Sequence, residues 1–311
     1  MDETISRLAP VLARAFTLTP AQEPILTAAL AENLERCLEW GVGRADFFAA
    51  IDTLTDLLLH PGDPVVTCHA CPDGTRLVSI QRDAGATAHV LVREGGALFV
   101  DCGFTRHSDG LFQALRDCIP GLDRLSRQQV LTHTDLDHAA VFAPFSCTFV
   151  TRPGYQSYAC EQAGLPGIRE RTPNYQAPYT LFRLLGGYAP PALERLRVIG
   201  GPAPAALAAD GHFGWNGLEF ALYQGPGGHV GGELVLAEPR AGLVITGDLH
   251  INHHEMLPRQ REFCRVTELL VNGADCLPDT ARAQRRGLKA LIGPGSWTVC
   301  PGHGALTHWD I

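Results

Sequence analysis

The chain has no surplus of basic residues. It carries 25 lysines and arginines against 33 aspartates and glutamates, which gives a formal net charge of −8 at pH 7. Binding to nucleic acid needs a concentrated basic surface that neutralises phosphates. We therefore expect no nucleic acid among the partners, and a nuclease activity is disfavoured for the same reason.

Long apolar runs are lacking as well. No stretch approaches the roughly 18 consecutive apolar residues of a membrane-spanning helix, so we expect no membrane association. Residues 1–4 are acidic, and no apolar segment of the kind found in a secretory signal follows them. The expected location is the cytoplasm, and the expected partner is a small-molecule substrate.

A second closely spaced cysteine pair is missing among the ten cysteines. Only Cys68 and Cys71 form a Cys-x-x-Cys motif, whereas a zinc ribbon needs two such pairs. A redox-active pair normally begins a helix, but Pro72, Asp73 and Gly74 follow this one and predict a turn. We therefore expect reduced and mostly buried thiols.

Apolar residues, by contrast, are plentiful. The 311 residues are 45% hydrophobic and 19% charged, which is enough for a sizeable core. Within residues 1–62, apolar side chains recur at helical spacing in three segments that glycine and proline separate. We predict a helical N-terminal extension over 1–62, serving for packing, as a lid or to join a homodimer, and a catalytic domain over 63–311.

The most informative stretch is Thr132-His133-Thr134-Asp135-Leu136-Asp137-His138, and four of its seven residues can bind a metal. On a helix, with about 100° per residue, His133 and Asp137 would share a face while Asp135 and His138 pointed elsewhere. A curled loop after a strand can direct all four to one point. The stretch therefore predicts a metal site. The alternative is a polar turn with a capping aspartate and solvated histidines.

Strand-like and helical segments alternate from residue 65 onward, which favours a layered α/β fold. The predicted strands cover 77–81, 88–93, 97–100, 147–150, 218–223, 234–236, 243–246 and 297–300, and the helices 111–115, 261–271 and 279–292. Residues 151–215 interrupt this pattern and hold five of the six tyrosines. They are an insertion that forms either a lid or substrate wall or an irregular helical region with packed tyrosine rings.

Further candidate ligands share one position, because each follows an apolar strand-like run beside a glycine or a turn. They are Asp101, His229, Asp248 and His303. The glycines before His229 are not followed by Gly-Lys-Ser/Thr, so they do not predict a phosphate-binding loop. Strands fix where such loops begin, and sites collect there. We therefore predict that these side chains meet the 133–138 stretch.

In order and spacing these motifs resemble the metallo-β-lactamase superfamily, and the resemblance covers about residues 65–304. The matching motifs are Asp101 in FVDCGF, the loop HTDLDH, His229 in GGHVGG, Asp248 in ITGDLH and His303 in CPGHG. The resemblance implies an α/β fold, a four-layer αββα sandwich with a two-metal centre at one edge.

The resemblance also implies individual roles. The first metal would bind His133, Asp135, His229 and Asp248, and the second would bind Asp137, His138, Asp248 and His303. Asp101 would orient the ligand loop through hydrogen bonds, Asp137 would handle a proton, and His250 would contact the substrate or leaving group. The expected cofactors are two divalent ions, zinc foremost, with iron or manganese as alternatives.

One residue departs from the superfamily loop, since Asp135 stands where the second histidine is usual. A carboxylate shifts the metal preference toward iron or manganese, although zinc tolerates it. The flavodiiron branch has a carboxylate here, but its members also need a flavodoxin domain, and we expect none because few residues follow His303.

From these residues we predict a dinuclear metal-dependent hydrolase in which a metal-bound hydroxide attacks a small ester, lactone, thioester or amide. The alternative is a non-haem iron oxidoreductase on the same fold. A metal-binding protein without catalysis is disfavoured by the nearly complete ligand set, and an exported β-lactamase by the missing signal. The fold alone does not choose the substrate.

Overall fold

A computed structural model of the chain describes residues 2–140 and 145–311. Its helices are α1 (Glu3–Ala15), α2 (Gln22–Glu39), α3 (Arg44–Leu59), α4 (Ser108–Cys118), α5 (Arg152–Gln162), α6 (Gln176–Gly186), α7 (Pro258–Val271) and α8 (Pro278–Ile292). Its strands are β1 (Val65–Ala70), β2 (Arg76–Gln81), β3 (Ala88–Arg93), β4 (Gly96–Val100), β5 (Ser126–Val130), β6 (Thr148–Val150), β7 (Leu196–Val198), β8 (Ala208–Trp215), β9 (Leu218–Gln224), β10 (Leu234–Glu238), β11 (Leu243–Ile251), β12 (Ser296–His303) and β13 (Thr307–Asp310).

The strands form two sheets. The first contains β1 to β7 in sequence order, and the second has the order β13-β12-β11-β10-β9-β8. Strands β4 to β7 run parallel to one another, as do β11 and β12, while the remaining neighbours are antiparallel. The loops after β4 and β5 therefore begin at the same edge of the first sheet.

The two sheets pack face to face because their strands bury alternate apolar side chains. In β9, for example, Leu218, Phe220 and Leu222 are buried and enter the core between the sheets, where they join Leu77 and Leu98 of the first sheet. This shared core fixes the distance between the strand ends that carry the candidate ligands.

Helices cover both outer faces. On the first sheet, Val90 and Phe99 pack against Leu115 of α4. On the second, Val244 packs against Leu288 of α8. The layers therefore run helix, sheet, sheet, helix, and the predicted four-layer αββα sandwich is confirmed.

The three N-terminal helices pack against the sandwich, α2 on α6 and α3 on α7. Fully buried residues such as Leu30 and Phe47 belong to one apolar cluster with Leu181 of α6 and Val266 of α7. The three predicted helices are present. The division of the chain at residue 62 stays a prediction.

We expect Phe47→Ala to lower the free energy of unfolding by about 3–5 kcal/mol, because it removes a buried ring and leaves a cavity. The matched control is Phe48→Ala, since the neighbouring ring is only half-buried and should cost less than half as much. Urea denaturation measures both. Equal losses for the two variants would contradict the packing of α3 described above.

Residues 151–215 contain α5, α6, β7 and β8, with Tyr158, Tyr175, Tyr179 and Tyr188 buried. Sequence patterns missed β7, which has three residues, and β8, whose exposed positions and glycines hide the alternation. No helix in the described parts of the chain is long and apolar enough to cross a membrane.

The ten cysteines are free thiols. Only Cys37, Cys71, Cys102 and Cys300 are buried, so the expectation of mostly buried thiols is wrong. Cys68 is exposed on β1, and the other five are half-buried.

Candidate metal centre

The predicted ligands meet at the edge of the sandwich where β5 and β12 end and β11 passes. The 133–138 stretch follows β5 and does not form a helix. Instead, the amides of His138 and Ala139 both donate to the Asp135 carbonyl oxygen at 2.9 Å, which curls the loop. The curl directs the side chains of His133, Asp135, Asp137 and His138 inward.

His229 arrives from the loop between β9 and β10, Asp248 from β11 and His303 from the last position of β12. Gly302 allows this approach, because a Cβ atom there would lie 1.9 Å from Asp248 Oδ1. A glycine is therefore required beside His303 for steric reasons.

The side chains fall into two groups around Asp248. The first ligand set is His133, Asp135, His229 and Asp248. His229 Nε2 lies 3.2 Å from Asp135 Oδ2 and 3.4 Å from Asp248 Oδ2. His133 Nε2 lies 3.7 Å from Asp135 Oδ2.

The second ligand set is Asp137, His138, Asp248 and His303. His303 Nε2 lies 3.4 Å from Asp137 Oδ2 and 3.5 Å from Asp248 Oδ2. His138 Nε2 lies 3.3 Å from Asp248 Oδ1. Asp248 thus belongs to both sets, with one oxygen toward His138 and the other toward His229 and His303.

These spacings fit a metal ion in each set. Ligand atoms about 2.1 Å from a tetrahedral ion lie about 3.4 Å from one another, which is close to the distances above. The Nε2 atoms of His133 and His138 and the Oδ1 atom of Asp248 are buried without a hydrogen-bond partner. Orphaned buried ring nitrogens and carboxylate oxygens are costly unless something binds them.

The αββα layers and the order of the candidate ligands along the chain together identify the fold. The chain has the metallo-β-lactamase fold. Neither a family model nor a curated protein sequence matches the chain, so the assignment depends on the αββα layers and on the ligand order along the strands.

Solved structures with similar folds include Rm3 metallo-β-lactamase, with 13% identity over 81% of each chain and a TM-score of 0.49. A B3 metallo-β-lactamase with an active-site glutamic acid shows 15% identity over 84% of this chain and 87% of its own, with a TM-score of 0.48. A mutant flavo di-iron protein from Thermotoga maritima shows 10% identity over 79% of this chain, with a TM-score of 0.48. The chain spans 58% of the length of that flavo di-iron protein.

Outer partners fix the ring orientations of His133 and His138. His138 Nδ1 donates to Asp101 Oδ2 at 2.9 Å. His133 Nδ1 donates to Thr132 Oγ1 at 2.9 Å, and that hydroxyl donates to Asp101 Oδ2 at 2.7 Å. With Nδ1 engaged, Nε2 is the nitrogen that faces the site, an arrangement typical of metal-binding histidines.

Asp101 is therefore placed to orient the ligand loop. Its other oxygen accepts the Thr132 amide at 2.9 Å, and its backbone is left-handed with φ 48°. Aspartate tolerates this conformation better than most residues. The geometry agrees with the role that the resemblance implied, and that role stays a prediction.

A second carboxylate, missed by sequence reasoning, performs the same task for His229. His229 Nδ1 donates to Asp275 Oδ1 at 3.0 Å, and Arg285 holds both oxygens of Asp275 at 2.7 Å. Asp275 lies in Gly-Ala-Asp-Cys between α7 and α8, with no strand before it to mark it as a site residue.

We expect Asp275→Asn to weaken metal binding at the first ligand set about 10–100-fold, the usual cost of losing an outer partner of a ligand histidine. The second set should be unaffected. Zinc titration against a chromophoric chelator measures both affinities. Asp279→Asn is the matched control, because Asp279 is exposed at the start of α8. Unchanged zinc affinity in Asp275→Asn would contradict the assignment.

Arg169, from the insertion, also reaches the first ligand set and was missed by sequence reasoning. Its guanidinium donates to Asp135 Oδ2 and lies 3.3 Å from His229 Nε2. Burial acts to raise the pKa of Asp135, but the charge of Arg169 and the contacts with His229 and His133 lower it well below its ordinary value. Asp135 is therefore an ionised carboxylate.

Burial and the charge of His138 lower the pKa of His133 to about 3, so this imidazole is neutral. Burial also acts to lower the pKa of His138, but the charges of Asp248, Asp137 and Asp101 outweigh it and raise that pKa well above its ordinary value. The excess negative charge around His138 is what a divalent cation would neutralise.

His250 is the one predicted site residue that the structure does not bring to the cluster. Its ring contacts Trp309 of β13, with 5.1 Å between the ring centroids, and it does not line the cavity at the site. The burial of its ring and the nearby charges of Lys289 and His253 lower its pKa to about 4. This position gives no support to the predicted contact between His250 and the substrate or leaving group.

An apolar cavity opens onto both ligand sets. Its walls come mainly from α6, α7 and the insertion, and they include Tyr175, Tyr179, Phe182, Phe263 and Val271. Arg169 is the only arginine or lysine among the described lining residues, and it is already engaged by Asp135. The insertion thus contributes several residues to the lining of this cavity, and its role as a substrate wall stays a prediction.

Proposed function

We propose that the protein is a two-metal hydrolase that acts on a small, uncharged ester, lactone, thioester or amide. The observation that carries this proposal is the position of Asp248 between two sets of buried histidine and aspartate side chains at the base of an apolar cavity, with the Nε2 atoms of His133 and His138 lacking any hydrogen-bond partner. Such an open mixed set of histidine and aspartate is typical of catalytic rather than structural metal sites.

Two divalent ions at these sets would lower the pKa of a shared water toward neutrality and polarise the substrate carbonyl. The first ligand set and the second ligand set would hold them, with Asp248 in common. Zinc is the proposed metal.

Asp137 is the proposed proton acceptor. Its carboxylate lines the cavity and lies 3.4 Å from His303 Nε2. Burial raises its pKa above the ordinary value, which brings the carboxylate closer to the range in which it can take a proton and return it to a leaving group. Asp101 and Asp275 would hold His138 and His229 in place during this step.

The charge of the cavity supports an uncharged substrate. Asp135, Asp137 and Asp248 lie at its base and the exposed Glu268 also lines it. The single arginine of the wall is engaged by Asp135. Apart from the proposed metal ions, a phosphoryl or carboxylate group would meet no free arginine or lysine of the described wall, whereas an apolar acyl or alkyl group would pack on its aromatic rings.

A second candidate is a non-haem iron oxidoreductase, favoured by one observation. Asp135 Oδ2 lies within 3.2 Å of His229 Nε2, which makes the first ligand set two imidazoles and two carboxylates. Oxygen-rich sets of this kind suit iron or manganese.

The test is a substrate panel on protein reconstituted separately with zinc, manganese and iron. We expect hydrolysis of aryl esters, lactones, thioesters or anilides, and little hydrolysis of phosphate esters. Asp137→Asn should reduce the activity and weaken the metal at the second ligand set, to which Asp137 belongs. Reduction of oxygen by the iron form, with no hydrolysis by any form, would replace this proposal with the second candidate.

Cytoplasmic location and a homodimer formed through the N-terminal helices remain proposals. The exposed apolar side chains Val11, Ile25 and Leu38 on α1 and α2 are the surface that such a dimer would use. Sedimentation velocity of the purified protein measures its mass directly.

A further inference from the structure

Arg169 is held too firmly to serve as a mobile substrate anchor. Its side chain is buried, with 4% of the residue exposed. One terminal nitrogen donates to the His229 carbonyl oxygen at 2.8 Å, and the other donates to the Ala274 carbonyl oxygen at 3.0 Å and to Asp135 Oδ2. The guanidinium also lies 4.0 Å from the centre of the Tyr175 ring. Arg169 is therefore a fixed positive charge beside the first ligand set.

The guanidinium and the first ligand set share one carboxylate oxygen. Asp135 Oδ2 accepts from Arg169 and lies 3.2 Å from His229 Nε2 and 3.7 Å from His133 Nε2. An oxygen at these distances has the spacing of a ligand atom in a tetrahedral site. The hydrogen bond therefore fixes the same oxygen that would bind the metal.

Charge explains why the two residues occur together. Removing one partner of a buried ion pair is strongly unfavourable, because it leaves an uncompensated buried charge. Asp135 and Arg169 together carry no net charge, as a neutral imidazole would. Either residue alone would change the charge of the buried site by one unit.

We propose that Asp135 and Arg169 act as one unit that takes the place of a neutral imidazole ligand, with Asp135 supplying the ligand oxygen and Arg169 positioning it and cancelling its charge. This inference depends on the two-metal site of the proposed function. Arg169 belongs to the 151–215 insertion, so the substrate wall and the first metal are built as one structure.

The two residues should be coupled in metal binding. Asp135→His alone would leave the Arg169 charge uncompensated 3.3 Å from His229 Nε2, and Arg169→Met alone would leave Asp135 with neither its partner nor its orientation. We expect each single variant to weaken the first zinc about 10–100-fold. The double variant Asp135→His/Arg169→Met leaves the total charge of the site as it is in the wild type, and it should bind the first zinc within about tenfold of the wild type.

The experiment measures zinc per chain and both zinc dissociation constants in the four proteins by competition with a chromophoric chelator. Thermal unfolding checks that each variant is folded. Arg171→Met is the matched control, because Arg171 is an exposed arginine of the same segment. If the double variant does not fold, Arg169→Lys provides a second test. Lysine retains the positive charge but lacks the planar guanidinium with its several donors, so Arg169→Lys should lower the affinity for the first zinc less than Arg169→Met does.

The inference would be overturned if the losses of zinc affinity in the two single variants simply added in the double variant. It would also be overturned if Asp135→His alone bound both zinc ions tightly. In both cases the two-metal site would remain. For Arg169→Lys, a loss equal to that of Arg169→Met would also overturn the inference. A wild-type protein that binds no zinc at the first set would overturn the inference and the proposed function together.

Discussion

Asp248→Asn is expected to leave less than one metal ion per chain and to abolish hydrolysis. Asp248 is the residue common to both ligand sets, with Nε2 atoms of three histidines 3.3–3.5 Å from its oxygens. Asparagine has nearly the same shape but lacks the charge, so both sets lose a carboxylate ligand in a buried site that contains several imidazoles. Metal content measured by mass spectrometry after dialysis gives the result.

Asp73→Asn is the matched control for this variant. Asp73 is a partly buried aspartate in the turn between β1 and β2, where it pairs with Arg93 of β3. This turn is not among the segments that carry the ligands. Asp73→Asn should lower stability modestly and leave the metal content unchanged. Retention of both metal ions by Asp248→Asn would contradict its position as a shared ligand.

His229→Ala and His303→Ala are expected to separate the two ligand sets. His229 contacts Asp135 and Asp248 in the first set, and His303 contacts Asp137 and Asp248 in the second. Each variant should lose about one metal ion per chain and retain the other, because each removes a ligand from one set only. Activity should fall by at least about a hundredfold in both, since the reaction needs both ions.

The control for these variants is His308→Ala, which removes an exposed histidine that pairs with Asp310 on β13. It should leave metal content and activity as they are in the wild type. Loss of both ions from either single variant would show that the two sets cannot be filled independently. Loss of neither would reject both histidines as ligands.

The sandwich could be predicted because its strands have strong local patterns. Segments such as β3 and β9 carry apolar side chains at the period of a strand, and Gly and Pro mark their ends. Helix α5 resisted prediction because its buried residues are Gly154, Ser157, Tyr158 and Glu161 rather than a regular apolar stripe. Helix α6 buries Ala177, Leu181 and Leu185 at helical spacing, but its packing on α2 is a long-range contact that no local pattern records.

The candidate site divides in the same way. His133, Asp248 and His303 could be predicted because each follows an apolar run that predicts a strand, although the structure extends β11 past Asp248 and β12 to His303. Arg169 and Asp275 could not, because they come from irregular segments and reach the site only through long-range packing. His250 shows the opposite case, since it stands two residues after Asp248 in sequence, yet its ring lies against Trp309.

The central claim is that two metal ions lie on either side of Asp248. Anomalous diffraction from crystals of the zinc-loaded protein, collected above and below the zinc edge, tests it most directly. We expect two anomalous peaks about 3.5–4 Å apart, one beside His133 and His229 and the other beside His138 and His303. A single peak, or peaks away from Asp248, would contradict it.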